Sequence, residues 1–335
     1  MTPLFFSIVL PIYNAVNYIE KTLNCIHNQS FKNYELLIVD DGASDGTEDI
    51  VKRYSNENAN TMYIKQNNQG ISNARNTAIQ NAKGKYLVFC DHDDIMDSNC
   101  LKKLFTILSQ ENFDVVKYSY KNQVIMNDKL VKQYDLICDD IRGTGKDLQQ
   151  NYNQFNNFIY TVWNGAYRTA LIHESKLKFD ESIKSGMEDV VFNLKLLQKN
   201  ISICMISDTL YLHYIRYGQS ASRKFDINKL DSILMSFDLE KQFFETINSR
   251  PNSDFYLLQM NKYIRSFFVA IGTKYNSLSD SSVKMRLVEF RKKMNYRFSI
   301  AAGSRYLIQY PKEYIKIVLF RLYLYKALVY LLRGQ

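Results

Sequence analysis

Five cysteines are all that 335 residues carry (Cys25, Cys90, Cys100, Cys138 and Cys204), and no two share a CxxC spacing. An odd, scattered set excludes a disulfide framework and a cysteine-ligated zinc site, and predicts a reducing, cytoplasmic setting. No stretch of about 18 or more uncharged apolar residues occurs, so a spanning helix is not expected and any membrane contact is peripheral. The opening MTPLFFSIVLPIYN is apolar but has neither a basic leader nor a small-residue cleavage site. It reads as a first core strand rather than a signal peptide. Internal repeats and low-complexity tracts are also missing.

What is present suits a large folded chain. Hydrophobic residues make up 46% and aromatics 14%, which is enough apolar mass for one large domain or two ordinary ones. The net charge of +9 points to a polyanionic partner: nucleic acid, an anionic membrane face, or a phosphorylated substrate. No nucleic-acid recognition motif accompanies the charge, so nucleic acid is not the expected partner.

Short β-rich runs alternate with helical patterns through the first half. FSIVL, ELLIVD, TMYIKQ, YLVFC and FDVVKYSY are separated by segments such as NYIEKTLNCIHNQ and ISNARNTAIQNA. That alternation predicts βαβ units, hence an α/β fold with a mostly parallel sheet flanked by helices. Beyond Arg223 long helical patterns take over, which divides the chain into a domain over 1–223 and a helical C-terminal region over 224–335.

Ligands of such sheets bind at the carboxyl ends of the strands, and three polar clusters fall there: PIYN, DDGASDGT and DHDD. In the run VFCDHDD, three carboxylates within four positions repel one another unless something positive lies between them. Asp91 and Asp93, on alternate residues, suit a hard divalent cation shared with phosphate oxygens; an acidic helix N-terminus is the alternative. Asp40 and Asp41 end the second strand, where a carboxylate can accept the N3 proton of a uracil on which Tyr13 stacks; a plain strand-to-helix turn needs the same residues. Gly70 precedes a helix carrying Arg75, an arrangement that suits a diphosphate, although Arg75 has the surplus aspartates as alternative partners. Glu188 and Asp189 open a later helix; they are either dipole decoration or, for Asp189, the acceptor of a proton from an attacking hydroxyl. His213 either reaches a diphosphate or metal or packs among tyrosines, and Trp163 is either an acceptor-sugar platform or core.

The order SIVLPIYN, LLIVDDGASDGT, NQGISNARN, YLVFCDHDD and GMEDVVF resembles the family-2 glycosyltransferases of the GT-A fold, over about residues 5 to 223. The resemblance implies an inverting transfer from a nucleotide sugar, most often a UDP-sugar, with Mn²⁺ or Mg²⁺. By position, Pro11 and Tyr13 match the first-strand nucleotide loop, and Asp41, with Asp40 beside it, the uracil-binding aspartate. Gly70, Ser72 and Arg75 match the diphosphate and ribose loop. Asp91 and Asp93 match the DxD element, with Asp93 the direct metal ligand and Asp91 and His213 further candidates. Asp189 matches the catalytic base, with Glu188 beside it toward the acceptor. His92 fills a middle DxD position that is often small in the family, where as a nucleotide-sugar-binding residue it alters donor choice or else points away, and Gly165 stands where many relatives carry a lysine. The QxxRW element of processive synthases is absent, so transfer of a single sugar is expected.

Two rival classes remain at this stage. A nucleotidyltransferase shares the α/β plan, but its glycine-rich basic loop is missing after the first strand. The other is a non-catalytic carbohydrate- or nucleotide-binding protein on a GT-A scaffold. The last helical run, from Pro311, sets Lys312, Lys316, Lys326 and Arg333 within about 100° of arc. That face predicts contact with an anionic cytoplasmic membrane surface near a polyprenyl-diphosphate-linked saccharide acceptor of bacterial surface-polysaccharide synthesis; packing on the core or a homodimer contact are the alternatives.

Overall fold

A computed structural model describes residues 3–150, 152–184, 186–216, 227–246, 261–268, 270, 281–294, 311–321 and 325. The chain separates into two compact units, Met1–Lys184 with Glu188–Ser220, and Ser185–Met187 with Ala221–Gln335.

The first unit is built on a ten-stranded sheet. Its parallel half comprises β1 (Phe6–Ile12), β2 (Tyr34–Asp40), β3 (Thr61–Lys65) and β4 (Tyr86–Phe89), in spatial order β3-β2-β1-β4. Every residue of β1, β2 and β4 is buried, as expected of strands covered on both faces. Three helices, α1 (Ile19–His27), α2 (Thr47–Glu57) and α3 (Ile71–Asn81), connect these strands. One polar side chain inside β1 shows how tightly the layers meet: Ser7 Oγ donates to Glu35 Oε1 at 2.6 Å and accepts the Gly84 N–H at 2.8 Å.

Because β2 lies on one side of β1 and β4 on the other, the chain reverses direction of travel across the sheet at β1. A crevice opens at such a reversal, beyond the carboxyl ends of the strands. The rest of the sheet is mixed. After β5 (Ile95–Met96) and α4 (Cys100–Gln110) comes β6 (Val115–Met126), which forms a hairpin with β7 (Lys129–Leu136). Asn127 and Asp128, both at positive φ, make its two-residue turn. Next come β8 (Ile141–Thr144), α5 (Tyr152–Ile159), β9 (Gly165–Arg168) and α6 (Thr169–Glu174). The unit closes with α7 (Glu188–Leu197) and β10 (Ser202–Arg216). β9 runs antiparallel between β4 and β6, and β10 pairs in parallel with β6.

The second unit has its own apolar core, in which Leu230, Ile233, Phe267, Phe290 and Phe320 are all buried. Its helix Pro311–Arg321 departs from the basic arc expected of it. Lys316 is 5% exposed and Ile315 46% exposed, because Phe320 on the same helix is drawn into the core. Lys326 and Arg333 lie outside the described residues. Among the described residues, no helix is long and apolar enough to cross a membrane.

Candidate active site

Two arginines hold the acidic run after β4. Arg75, carried by α3, is 1% exposed and reaches across the crevice floor. Its Nη2 is 3.1 Å from Asp91 Oδ1, and its Nη1 is 2.6 Å from Asp189 Oδ1 and 3.4 Å from Glu188 Oε1. Burial works against the charge of Arg75, but Asp189, Asp91 and Glu188 outweigh it and hold the guanidinium ionised. Asp93 is ion-paired with Arg216 from the end of β10, whose guanidinium lies over the rings of Tyr18 and Tyr214 at 4.2 and 4.8 Å. Asp94 is fully buried: its Oδ1 accepts the Tyr214 N–H at 2.8 Å, while Oδ2 has no partner. Burial, then Asp93 and Asp91, push its carboxyl well above the usual range.

Asp189 sits in the first turn of α7 with both oxygens engaged. Arg75 holds Oδ1, and Oδ2 accepts the Val162 N–H at 3.0 Å. Burial pushes its carboxyl up to about 7; Arg75 opposes the shift, and Glu188 and Asp91 add to it. A carboxylate poised there exchanges a proton near neutral pH, as a general base must.

On the β1–β2 side, Pro11 is buried within β1 opposite Val39, and Tyr13, just beyond, is 45% exposed. Asp40 is turned inward, its Oδ1 accepting the Ala43 N–H and its Oδ2 the Tyr63 hydroxyl, each at 2.8 Å. Asp41 organises the loop ahead of α3. Its Oδ1 accepts Gln66 Nε2 and the Gln69 N–H at 2.8 Å, and Oδ2 accepts the Gly70 N–H at 2.7 Å. Gly70 takes φ +93°, a conformation that favours glycine. Ser72, in the first turn of α3, is buried with a hydroxyl that has no partner. Asp41 and Arg75 are thus committed to protein partners, whereas Tyr13 and Ser72 keep groups available to a ligand.

His92 is half-buried, and its carbonyl is pinned at 2.9 Å by the Thr22 hydroxyl, which also donates to Asp94 O. His213 Nδ1 is 2.7 Å from Asn122 Oδ1. With that oxygen as acceptor, Nδ1 carries the proton and Nε2 keeps its lone pair. Burial lowers the His213 pKa, against Asp91 and Asp93, so the ring is neutral at pH 7. Trp163 is 4% exposed, stacked on Tyr211 at 4.6 Å with His213 at 4.9 Å, and has no open face for a sugar ring.

Asp91 and Asp93, each about a quarter exposed, are the oxygen donors a hard divalent cation prefers. Among the described residues no group of three His, Cys, Asp or Glu side chains is arranged to hold a metal. Each of the two carboxylates is paired with an arginine, so together they supply only part of a coordination shell.

Sequence reading gave no role to Tyr211, Arg216 or Lys117. Tyr211 accepts the Asp91 N–H on its hydroxyl at 3.0 Å. A lysine in the middle of FDVVKYSY was the available signal for Lys117, since a charge inside a buried strand needs a reason.

The Glycosyl transferase family 2 model matches residues 7–175, half of the chain. Among curated relatives, glycosyltransferase GlyA of Streptococcus pneumoniae is 28% identical over 221 residues, 63% of this chain and 31% of that protein. The poly(ribitol-phosphate) beta-N-acetylglucosaminyltransferase TarS of Staphylococcus aureus is 30% identical over 213 residues, 62% of this chain and 35% of that protein. The chain thus spans about a third of the length of these two relatives. The solved structure of S. aureus TarS 1–349 in complex with UDP-GlcNAc has a TM-score of 0.60 at 23% identity, covering 88% of this chain and 94% of that one. The GT-A fold is shared, and the chain belongs to glycosyl transferase family 2.

Proposed function

We propose that this protein is an inverting, metal-dependent glycosyltransferase that moves one sugar from a UDP-sugar to a hydroxyl of a saccharide acceptor. The single observation that carries the reading is Asp189, a buried carboxylate pushed up to about 7 and fixed by Arg75 and the Val162 N–H beside the strand-end acids. In this reading the acceptor oxygen attacks the anomeric carbon opposite UDP, its proton passes to Asp189, and the bond to the diphosphate breaks with its electron pair on UDP. One displacement inverts the anomeric centre, through an oxocarbenium-like transition state by analogy with glycoside hydrolysis.

Tyr13 stacks on the uracil, Asp41 holds the loop that faces the ribose and diphosphate, and the unpartnered Ser72 hydroxyl donates to a phosphate oxygen at the α3 N-terminus. Asp93 and Asp91, with His213 Nε2 as a further candidate, hold the cation, which when bound offsets negative charge on the leaving diphosphate. The UDP-GlcNAc complex of TarS supports a UDP-sugar donor, and that relative's name, with poly(ribitol-phosphate) in it, supports a hydroxyl-bearing polymer as acceptor. A polyprenyl-diphosphate-linked acceptor and peripheral attachment to an anionic membrane belong to the same proposal.

The test is hydrolysis of a panel of UDP-sugars with Mn²⁺, comparing the native protein with Asp93→Ala, followed by UDP calorimetry. Release of UDP from one donor, lost in the variant, is the expected result. Failure to bind UDP with metal present overturns the donor assignment.

A further inference from the structure

We propose that Lys117 is a positioning residue for Asp189: its ammonium, buried opposite Gly165, fixes the 161–164 turn that presents the Val162 N–H to the carboxylate. The role rests on Asp189 being the base of the proposed reaction.

Lys117 lies in β6, directly across the antiparallel register from Gly165 in β9, and is fully buried. A lone ammonium in an apolar interior is expensive, so its surroundings have to be built for it. Its Nζ donates to Thr161 O, to Asn164 Oδ1 at 2.7 Å and to the Tyr167 hydroxyl at 2.9 Å, which uses all three protons. These acceptors are all neutral, and the Phe158 and Tyr167 rings lie 5.5 and 5.4 Å away. Gly165 makes room for the stem. A Cβ there would stand 2.8 Å from both Lys117 Cδ and the Val116 carbonyl oxygen.

Two of the three acceptors are the two ends of one turn, Thr161 and Asn164. Asn193 Nδ2 also donates to Thr161 O at 3.0 Å, and Asn164 Nδ2 to Tyr118 O at 3.1 Å. Between these clamps the turn offers one N–H, that of Val162, to Asp189 Oδ2. With Arg75 on Oδ1, both oxygens of the base are fixed in direction. Lys117 also adds a positive charge that favours the ionised form of Asp189. Burial brings the Lys117 pKa down to about 7, while Asp189 and Cys138 oppose the shift. Tyr167, the other titratable group on Nζ, is held neutral, above all by burial.

The experiment has two arms. In the first, Lys117→Met, which keeps the stem and removes the charge, is compared with the native enzyme in transfer assays across pH. We expect kcat to fall about 10- to 100-fold with donor KM within twofold, and the acid limb of the profile to move up by about 0.5 pH unit or more. A limb that stays in place in Lys117→Met overturns the proposal, because lost packing alone lowers the rate without moving it. The second arm needs neither activity nor a Lys117 variant. The ¹³Cε resonance of Lys117 is titrated in native and Asp189→Asn protein, and its midpoint should drop by about 0.5 unit or more once the carboxylate is neutralised. An unchanged midpoint overturns the link even if transferase activity is confirmed. A dropped midpoint in a protein with no transfer activity keeps the link and instead removes the proposed function.

Discussion

Arg75 Nη1 and Asp189 Oδ1 are 2.6 Å apart although 114 positions separate them in the chain. The contact joins the helix after β3 to the first turn of α7, and the same guanidinium reaches Asp91 at the end of β4. One buried cation therefore sets the geometry of Asp189, the proposed base, and of Asp91 together. Removing a partner from a buried ion pair typically costs about 3–5 kcal/mol, because the other charge stays behind. Arg75→Met strands three carboxylates, so its unfolding free energy, read by urea denaturation at pH 8, should fall by an amount in that range or more. Arg75→Lys should recover only part of the loss, since an ammonium lacks the fork that spans Asp91 and Asp189. Equal stability of the two variants would count against a bridging role.

The raised carboxyl of Asp189 gives the reaction a pH signature. The proposed base works only when ionised, so with its pKa at about 7 the acid limb of the transfer rate should lie near neutrality. Below that value each pH unit should cost about tenfold as the protonated fraction takes over. Asp189→Asn should lower kcat by about 10²- to 10⁴-fold and leave UDP affinity, read by calorimetry, within a few-fold. A variant that keeps more than a tenth of the native rate would remove Asp189 from the role of base.

Much of this site was legible in the sequence because it is built at strand ends. The buried runs before Tyr13, Asp41 and Asp91 are long and apolar, so their polar punctuation marks where each strand leaves the sheet. What the sequence withheld was partnership. The positive charge among the acids comes from Arg75 and Arg216, which lie 16 positions before Asp91 and 123 after Asp93. Only the sheet order brings them together. Asp41 shows the same limit: its position was readable, but its commitment to the Gln69 and Gly70 N–H groups depends on a loop geometry that residue types do not encode. In the C-terminal helix, periodicity alone placed Lys316 on an outer arc, and the pull of Phe320 into its core decided otherwise.

Arg216 and a divalent cation compete for Asp93 if the metal site is as proposed. A guanidinium already paired with that carboxylate must be displaced or must turn toward the phosphate when metal and donor arrive. Arg216→Gln should then lower the Mn²⁺ concentration for half-maximal activity several-fold, because a competing charge has gone. Should the metal requirement rise instead, Arg216 acts with the cation on the diphosphate rather than against it.

Ser72 separates binding from folding. Its hydroxyl is buried in the first turn of α3 without a hydrogen-bond partner, an arrangement that typically costs about 1–3 kcal/mol in the free protein. Ser72→Ala removes the unsatisfied group with little change in volume, so stability should stay level or rise by about 1 kcal/mol, as followed by urea denaturation. If the hydroxyl serves a phosphate oxygen, UDP should bind the same variant about 3- to 10-fold more weakly, the worth of one hydrogen bond. Those opposite signs are what a preorganised ligand group produces, since the protein tolerates an unpaired donor that only the complex satisfies. A variant that loses stability and binds UDP like the native protein would show the hydroxyl to be packing, and the diphosphate would then have to be held by the backbone N–H groups of the α3 N-terminus alone.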